Sequence, residues 1–481
     1  MTDRSSVIVT ELRRVHPNLV LAICCLSLLM VSMDATIVNV ALPAIRREFS
    51  ASTSGLQWVV DGYTLVVASL LLLSGSLADR FGRRRTFQVG MVLFTLASVL
   101  CSASPGLHAL IVFRMLQAVG GSMLNPVAMS IITNTFIEPK ARARAIGIWG
   151  GVLGISLILG PLIGGLLTQG VGWRVVFWVN LPIGLLAIWL AQRFVPESKA
   201  PRARRIDAFG QLLVSVGFAA LIYALIEGRR LGWTSPLIAG LFALAACALV
   251  GLIVYEPRRA EPLLDLRFFR SIPFASATVI AVCMFGASSG FAFLNVLYLQ
   301  EVRGLSALQA GLYTLPLAFA TIVCAPLSGR LVARFGTRPS LMGAGALTAL
   351  SALPLTQLGI DTPFGVLLLS YVIFGIGFGL VNPPITNTAV SGMPRAQAGL
   401  AAAVASTSRL FGASLGVALG GTFAGAAHAG AGFAQATRAF WWLIFGCGML
   451  VMLLGWLSTG RAARASVQRI ATLLEEPSAN G

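Results

Sequence analysis

Apolar residues run along this chain in long blocks separated by short polar stretches. The blocks cover roughly 19–42, 56–78, 86–104, 107–132, 145–168, 174–194, 208–227, 236–255, 273–299, 308–333, 340–358, 364–387, 398–425 and 438–459. Each approaches the roughly 20 apolar residues that a helix needs to cross a bilayer. Fourteen blocks therefore predict an all-α polytopic membrane protein with fourteen transmembrane helices. The longest connections, about 195–207 and 256–272, cannot bury a core of their own. The second, EPRRAEPLLDLRFFRSI, reads either as a short helix on the membrane surface or as a plain tether.

The polar stretches carry the charge, and their alternation orients the chain. With an even number of spans, both termini share one face. Of the 35 Lys and Arg residues, 26 fall on that face and 7 on the other, while Arg114 and Arg409 lie inside apolar blocks. Such a bias marks the first face as cytoplasmic. A miscount by one helix would scramble the split.

Composition narrows the classes further. Hydrophobic residues make up 57% and charged residues 11%, about half the charge of a soluble domain. An ordinary soluble enzyme and a disordered chain are both excluded. The net charge of +18 raises nucleic acid as a partner, but such binders gather their basic residues on one soluble face. Here they punctuate apolar runs, so no nucleic-acid partner is expected. The seven cysteines show no metal-ligand or redox spacing, and neither metal nor cofactor is expected. No nucleophile, base and orienter set accompanies His16, His108 or His428, so no enzyme is expected. No P-loop is present for ATP. The polar start lacks a cleavage site, and the first span is expected to act as an uncleaved insertion signal. The Arg, Ala and Gly bias suggests a bacterial inner (plasma) membrane.

Two segments repeat at a distance: GSLADRFGRRRT from Gly75 and GRLVARFGTRPS from Gly329. Each follows a span and precedes another on the arginine-rich face. The repeat predicts two related six-helix bundles, 1–194 and 273–460, around an inserted helix pair and its loops at 195–272, with a cytoplasmic tail at 461–481. Ala333 replaces Asp79 in the second copy, which predicts an asymmetric gate.

Charges inside spans cost roughly 2.5 to 3.5 kcal/mol each and need a reason. The alternating topology puts Asp34, Asp61 and Arg114 at similar depth in the outer half of the first bundle. An acid in a dry cavity beside an arginine is pulled both ways, by desolvation and by the ion pair. Asp34 is the candidate proton carrier, Arg114 the group that tunes it and Asp61 a second site; the alternative is a static ion pair locking span one to span four. Arg409 has no acid near it in sequence, and structural and transport roles stand equally. An apolar cavity with few polar groups suits a small amphipathic substrate. Candidate lining residues are Asn39, Trp58, Tyr63, Asn295, Tyr298 and Tyr313. Span ten carries no acid. Gly160, Pro161, Gly164 and Gly165 give small-residue spacing and a kink, predicting close packing of span five against the second half.

Five segments together resemble the major facilitator superfamily, and within it the fourteen-helix drug:proton antiporter family of the EmrB/QacA type. They are Met33 to Pro43 (MDATIVNVALP), Gly75 to Arg85 (GSLADRFGRRR), Arg114 to Gly121 (RMLQAVGG), Gly160 to Gly165 (GPLIGG) and Trp173 to Gly184 (WRVVFWVNLPIG). Ala118 and Ser156 stand where that family often has Gly. The resemblance implies proton-coupled export of amphipathic drugs or other small molecules by alternating access; the alternatives are dedicated export of one endogenous metabolite or antibiotic, or a non-transporting membrane scaffold, which has no need of charges inside its spans. Within the resemblance, a span ten without acids implies a preference for monovalent cations, neutral compounds or weak acids. The resemblance ties Asp34 and Arg114 to coupling. It implies a conformational gate in which Gly75, Asp79, Arg80, Gly82 and Arg83 latch the bundles when the cytoplasmic side is closed. Some relatives engage a periplasmic adaptor; this sequence shows no extended docking domain.

Overall fold

The computed structural model describes residues 16–199, 207–259, 262–391, 393, 397–425 and 431–475. The first six helices are α1 Pro17–Phe49, α2 Thr53–Phe81, α3 Arg83–Ser102, α4 Leu107–Thr135, α5 Pro139–Gly170 and α6 Val175–Phe194. Then come α7 Ala208–Leu231 and α8 Pro236–Tyr255. A further six are α9 Ile272–Leu297, α10 Ala307–Phe335, α11 Thr337–Leu355, α12 Phe364–Val390, α13 Ala398–Ala424 and α14 Ala431–Leu457; α15 Arg461–Glu475 follows. Thirteen of the described helices are long and apolar enough to cross a membrane. The fourteenth of the expected set, α11, has 19 residues and opens on Thr337, Arg338, Pro339 and Ser340, which lowers its hydropathy.

Polar side chains start the helices where the sequence changes face. Ser52 caps α2 by accepting from the Gly55 amide, and Ser306 and Gln309 form a reciprocal capping box on α10. The repeated loops turn on the same residue. Gly82 (φ 114°) and Gly336 (φ 79°) hold the sharp turns after Phe81 and Phe335, a backbone region that costs any other residue strain.

The helices pair in a repeated scheme. In the first half α1 packs on α5, α2 on α4, and α3 on α4 and α6; in the second, α9 packs on α13, α10 on α12, and α11 on α12 and α14. The halves meet along two seams, α2 with α13 and α5 with α10. The inserted α7 lies against both α2 and α13, with Phe218, Ile222 and Ile226 packed on Leu65, Ala68 and Ala418. Gln211 of α7 donates to the Ser69 carbonyl of α2, and Thr422 of α13 donates to the Leu225 carbonyl at 2.9 Å. Small residues let backbones touch, as lipid gives helices little other reason to associate: a Cβ on Gly412 or Gly416 would strike the α9 backbone at Val282 or Gly286.

The 256–272 connection, open to a surface helix or a plain tether in the sequence, forms no single helix among its described residues. It forms two short 3₁₀ segments, Glu256–Arg258 and Leu266–Arg270, the second capped by Asp265, which also pairs with Arg267 at 2.8 Å. The surface helix is α15: Ala463 and Ile470 are buried, Arg461 and Arg464 are exposed, and Ser466 Oγ accepts from the Ile272 amide at 3.1 Å.

Candidate functional site

Asp34 sits midway along α1 and is fully buried, as is Arg114 of α4 at 2% exposure. Arg114 Nη1 donates to Asp34 Oδ2 at 2.5 Å. The other carboxylate oxygen, Oδ1, accepts from Gln117 Nε2 at 2.9 Å and Asn180 Nδ2 at 2.8 Å. Ser98 Oγ ties those two amides together, accepting from Gln117 at 2.7 Å and Asn180 at 3.2 Å. The guanidinium is shared further: its Nε donates to the Val59 carbonyl of α2 at 3.3 Å, and its face lies 4.3 Å from the Tyr63 ring. Three helices therefore meet on the carboxylate, and α2 and α3 join through Arg114, Gln117 and Asn180. Truncating one member of a buried, hydrogen-bonded charge pair costs about 3–5 kcal/mol, so this centre holds α1, α2, α3, α4 and α6 in register.

Asp61 does not join that centre. It is fully buried on α2, and the equally buried Ser414 hydroxyl of α13 faces its carboxyl across the seam. The topological convergence thus holds for two of the three charges, and the third faces the opposite bundle.

Hydrogen bonds between the two bundles gather at the face away from the arginine-rich loops. Arg46 Nη1 pairs with Glu301 Oε2 at 2.5 Å, linking the end of α1 to the end of α9. Gln57 Nε2 donates to the Val417 and Ala418 carbonyls at 3.2 and 2.7 Å, and Gln300 Nε2 to the Val40 carbonyl at 3.0 Å. At the arginine-rich face, by contrast, the sites of a Cβ on Gly75, Gly147, Gly150, Gly151 and Gly329 meet no atom within 4 Å. Phe81 and Phe335 are 54% and 59% exposed. Among the described residues, these hydrogen bonds join the bundles at the face away from the arginine-rich loops.

Asp79 accepts from Arg83 Nη2 at 3.0 Å within its own loop instead of reaching the other bundle. Gly82 makes the tight turn, and a Cβ there would meet the Glu197 carboxylate at 2.6 Å. That carboxylate receives the Arg84 and Arg85 amides at 3.1 and 3.2 Å. Arg80 lies over the exposed Phe81 ring at 5.8 Å.

The glycines of α5 divide their work, contrary to the expectation that they all face the second half. A Cβ on Gly160 or Gly164 would collide with Thr36 or Ile37 of α1, in the same bundle. Gly165 faces α10, where a Cβ would meet Leu308 Cα at 2.7 Å, and so does Gly154, whose Cβ would meet Ile322 at 2.7 Å; the Pro161 carbonyl lies 2.5 Å from where Gly311 would carry a Cβ.

Several lining candidates are engaged elsewhere. Trp58 donates to Glu227 of α7 at 3.0 Å, and that carboxylate also pairs with Arg230. Tyr63 stacks on Arg114. Asn295 accepts from Tyr371, and Tyr298 donates to the Gly359 carbonyl at 2.7 Å, both inside the second bundle. Tyr313 stacks on Phe364 at 4.6 Å. Asn39 donates to the Ala35 carbonyl at 3.3 Å, leaving its side-chain oxygen without a partner. Arg409 donates to Thr386 Oγ1 at 2.5 Å. Gln117 and Asn180 were missed as ligands of Asp34, although both lie in the quoted motifs; Ser98 carries no signal beyond polarity in an apolar span.

Residues 24–417 match the family described as Major Facilitator Superfamily. The chain is 38% identical to the multidrug resistance protein Stp of Mycobacterium tuberculosis, covering 82% of this chain and 74% of that one. It is 38% identical to the tetracenomycin C resistance and export protein of Streptomyces glaucescens, over 81% and 73% of the two chains. In fold it is similar to a bacterial homolog of the human lysosomal transporter Spinster, solved in an inward-facing and occupied conformation (TM-score 0.62, 19% identity, 96% and 98% of the two chains).

Proposed function

The chain belongs to the major facilitator superfamily, and from that premise we propose that it exports amphipathic small molecules, antibiotics among them, in exchange for protons. The observation that carries this reading is the pairing of two buried acids with opposite surroundings. Asp34 is fully hydrogen-bonded inside one bundle, while Asp61 lies in the seam between bundles with the Ser414 hydroxyl facing it. The two relatives, one named for multidrug resistance and one for resistance and export of an antibiotic, support the substrate class.

Alternating access follows from the two seams. The arginine-rich face is cytoplasmic by its charge, so the described state is open inward, with both termini inside a bacterial plasma membrane. Asp61, buried in the closed outer seam with the Ser414 hydroxyl facing it, is the second proton site. Opening that seam wets Asp61 and lets its proton exchange with the outside. Asp34 takes up a proton on a carboxylate oxygen and releases it again, its carboxylate re-forming the pair with Arg114 when the proton leaves. The 75–83 loop latches the bundles once the inner face closes, and the small residues of α5 form the surface on which they rock. The bundles 1–194 and 273–460 move as the two units, with 195–272 riding at the α2–α13 seam.

The driving force suffices. A proton moving through about 150 mV releases roughly 3.5 kcal/mol, enough to hold a substrate gradient of roughly 300-fold. The test is ethidium efflux from energised cells of an efflux-deficient host. Wild type extrudes the dye, and Asp34→Asn or an uncoupler abolishes extrusion. Well-expressed wild type that extrudes no dye shifts the assignment to a dedicated metabolite exporter.

A further inference from the structure

Arg409 is a charge without a counter-charge. It lies in α13 near the middle of the span, and among the described residues its guanidinium reaches only neutral groups: Thr386 Oγ1 at 2.5 Å, the Asn382 carbonyl at 3.4 Å and the Phe285 ring at 5.7 Å. Its Nε has no hydrogen bond, nor has the hydroxyl of neighbouring Thr407. The lack is built into the sequence. From Pro273 to Leu457 the only acids are Glu301 and Asp361. Glu301 is held by Arg46 at the far face, and Asp361 lies in the turn between α11 and α12. In the first bundle Asp34 is consumed by Arg114, Gln117 and Asn180, and Asp61 faces Ser414, more than one helical turn further along α13. The second half of the protein therefore presents a fixed positive charge with no acid to neutralise it.

A buried charge is tolerated where it is paired or bonded, and an arginine's planar fork matches a carboxylate or similar oxyanion. Thr386 and Arg409 come from α12 and α13, and Phe285 from α9 supplies an apolar wall beside the charge. We infer that Arg409 is an anion-recognition point, which takes the carboxylate, phenolate or sulfonate end of an amphipathic substrate while Phe285 contacts its apolar body. This deepens the export reading and rests on it: the preferred substrates are weak acids or zwitterions, and a purely cationic drug gains nothing from this group.

The experiment measures charge selectivity in cells of an efflux-deficient host expressing wild type, Arg409→Gln or Arg409→Lys. The anionic probe is carboxyfluorescein, loaded as its diacetate ester, and the cationic probe is ethidium. The readout is the ratio of anion to cation efflux, which is independent of expression level. Wild type exports carboxyfluorescein; Arg409→Gln lowers the ratio at least tenfold, and Arg409→Lys recovers most of it. An unchanged ratio in Arg409→Gln overturns the inference, as does wild type that exports ethidium but no carboxyfluorescein. Well-expressed wild type that exports neither dye overturns the broad drug-export reading on which the inference rests. Should Arg409→Gln fail to accumulate, carboxyfluorescein polarisation with purified full-length wild type decides: binding that competes with benzoate supports the inference, and binding indifferent to benzoate refutes it.

Discussion

Releasing the outer seam should tip the conformational equilibrium by an amount the contacts allow. Two devices close that face. Gln57, 1% exposed, donates to the Val417 and Ala418 carbonyls of the other bundle. A net hydrogen bond is worth about 0.5–1.5 kcal/mol. The Arg46–Glu301 pair spans α1 and α9 at side-chain exposures of 27% and 25%; solvent screening holds such a pair to about 0.5–1 kcal/mol. Gln57→Ala with Glu301→Gln thus removes roughly 1–2.5 kcal/mol that favours the outward-closed state, a population shift of about 5- to 70-fold. Ser414 reports it: it is fully buried in the closed seam beside Asp61. In a background with the seven native cysteines replaced, Ser414→Cys should react with an impermeant maleimide from outside at least fivefold faster when both seam contacts are removed. Each single variant should give an intermediate rate, because the contacts lie on different helices. An unchanged rate in the double variant, at normal expression, would refute the assignment of these contacts as the outer lock.

Glycine substitutions separate folding from transport. Gly120→Val places carbon against the Phe94 amide, where a Cβ already meets it at 2.5 Å; overpacking a backbone contact costs about 1–3 kcal/mol or more, and the variant should fail to accumulate on immunoblots. Gly75→Val meets nothing within 4 Å in the inward-open state, so it should accumulate normally yet lose dye efflux, because the closed inner face has no room for it; normal efflux would show that Gly75 is never approached. Gly311→Val, whose Cβ would stand 2.5 Å from the Pro161 carbonyl, wedges the α5–α10 seam and should cut efflux at least tenfold with the purified protein still monodisperse. Gln117→Leu removes the amide that bridges Asp34 and Ser98 at 2.9 and 2.7 Å, and should lower efflux more than Ser98→Ala does, measured as initial ethidium rates.

The sequence displayed most of the architecture and part of the site. Hydropathy blocks found the helices because lipid demands a long apolar stretch from each span, and only α11, with its polar opening, fell short of the pattern. The Gly75 and Gly329 repeat foretold the matching helix pairings, down to the turn at Gly82 and Gly336. Asp34 and Arg114 stood out because a charge in lipid is expensive. Their partners did not: Ser98, Gln117 and Asn180 are ordinary polar residues whose role depends on how three helices are rotated. The same missing rotation misdirected the aromatic candidates. Trp58 faces α7 and Tyr298 faces its own bundle because the inserted helix and the internal packing of α9 claim those directions, and neither leaves a mark on local periodicity.

The central claim is that export is exchanged for protons through the Asp34 centre. Purified protein in liposomes loaded with a pH-sensitive dye tests it directly. With an outward ethidium gradient imposed and no membrane potential, wild type should move protons against the ethidium flow, while Asp34→Asn should bind ethidium and move none. Proton flux in Asp34→Asn equal to that of wild type would contradict the claim.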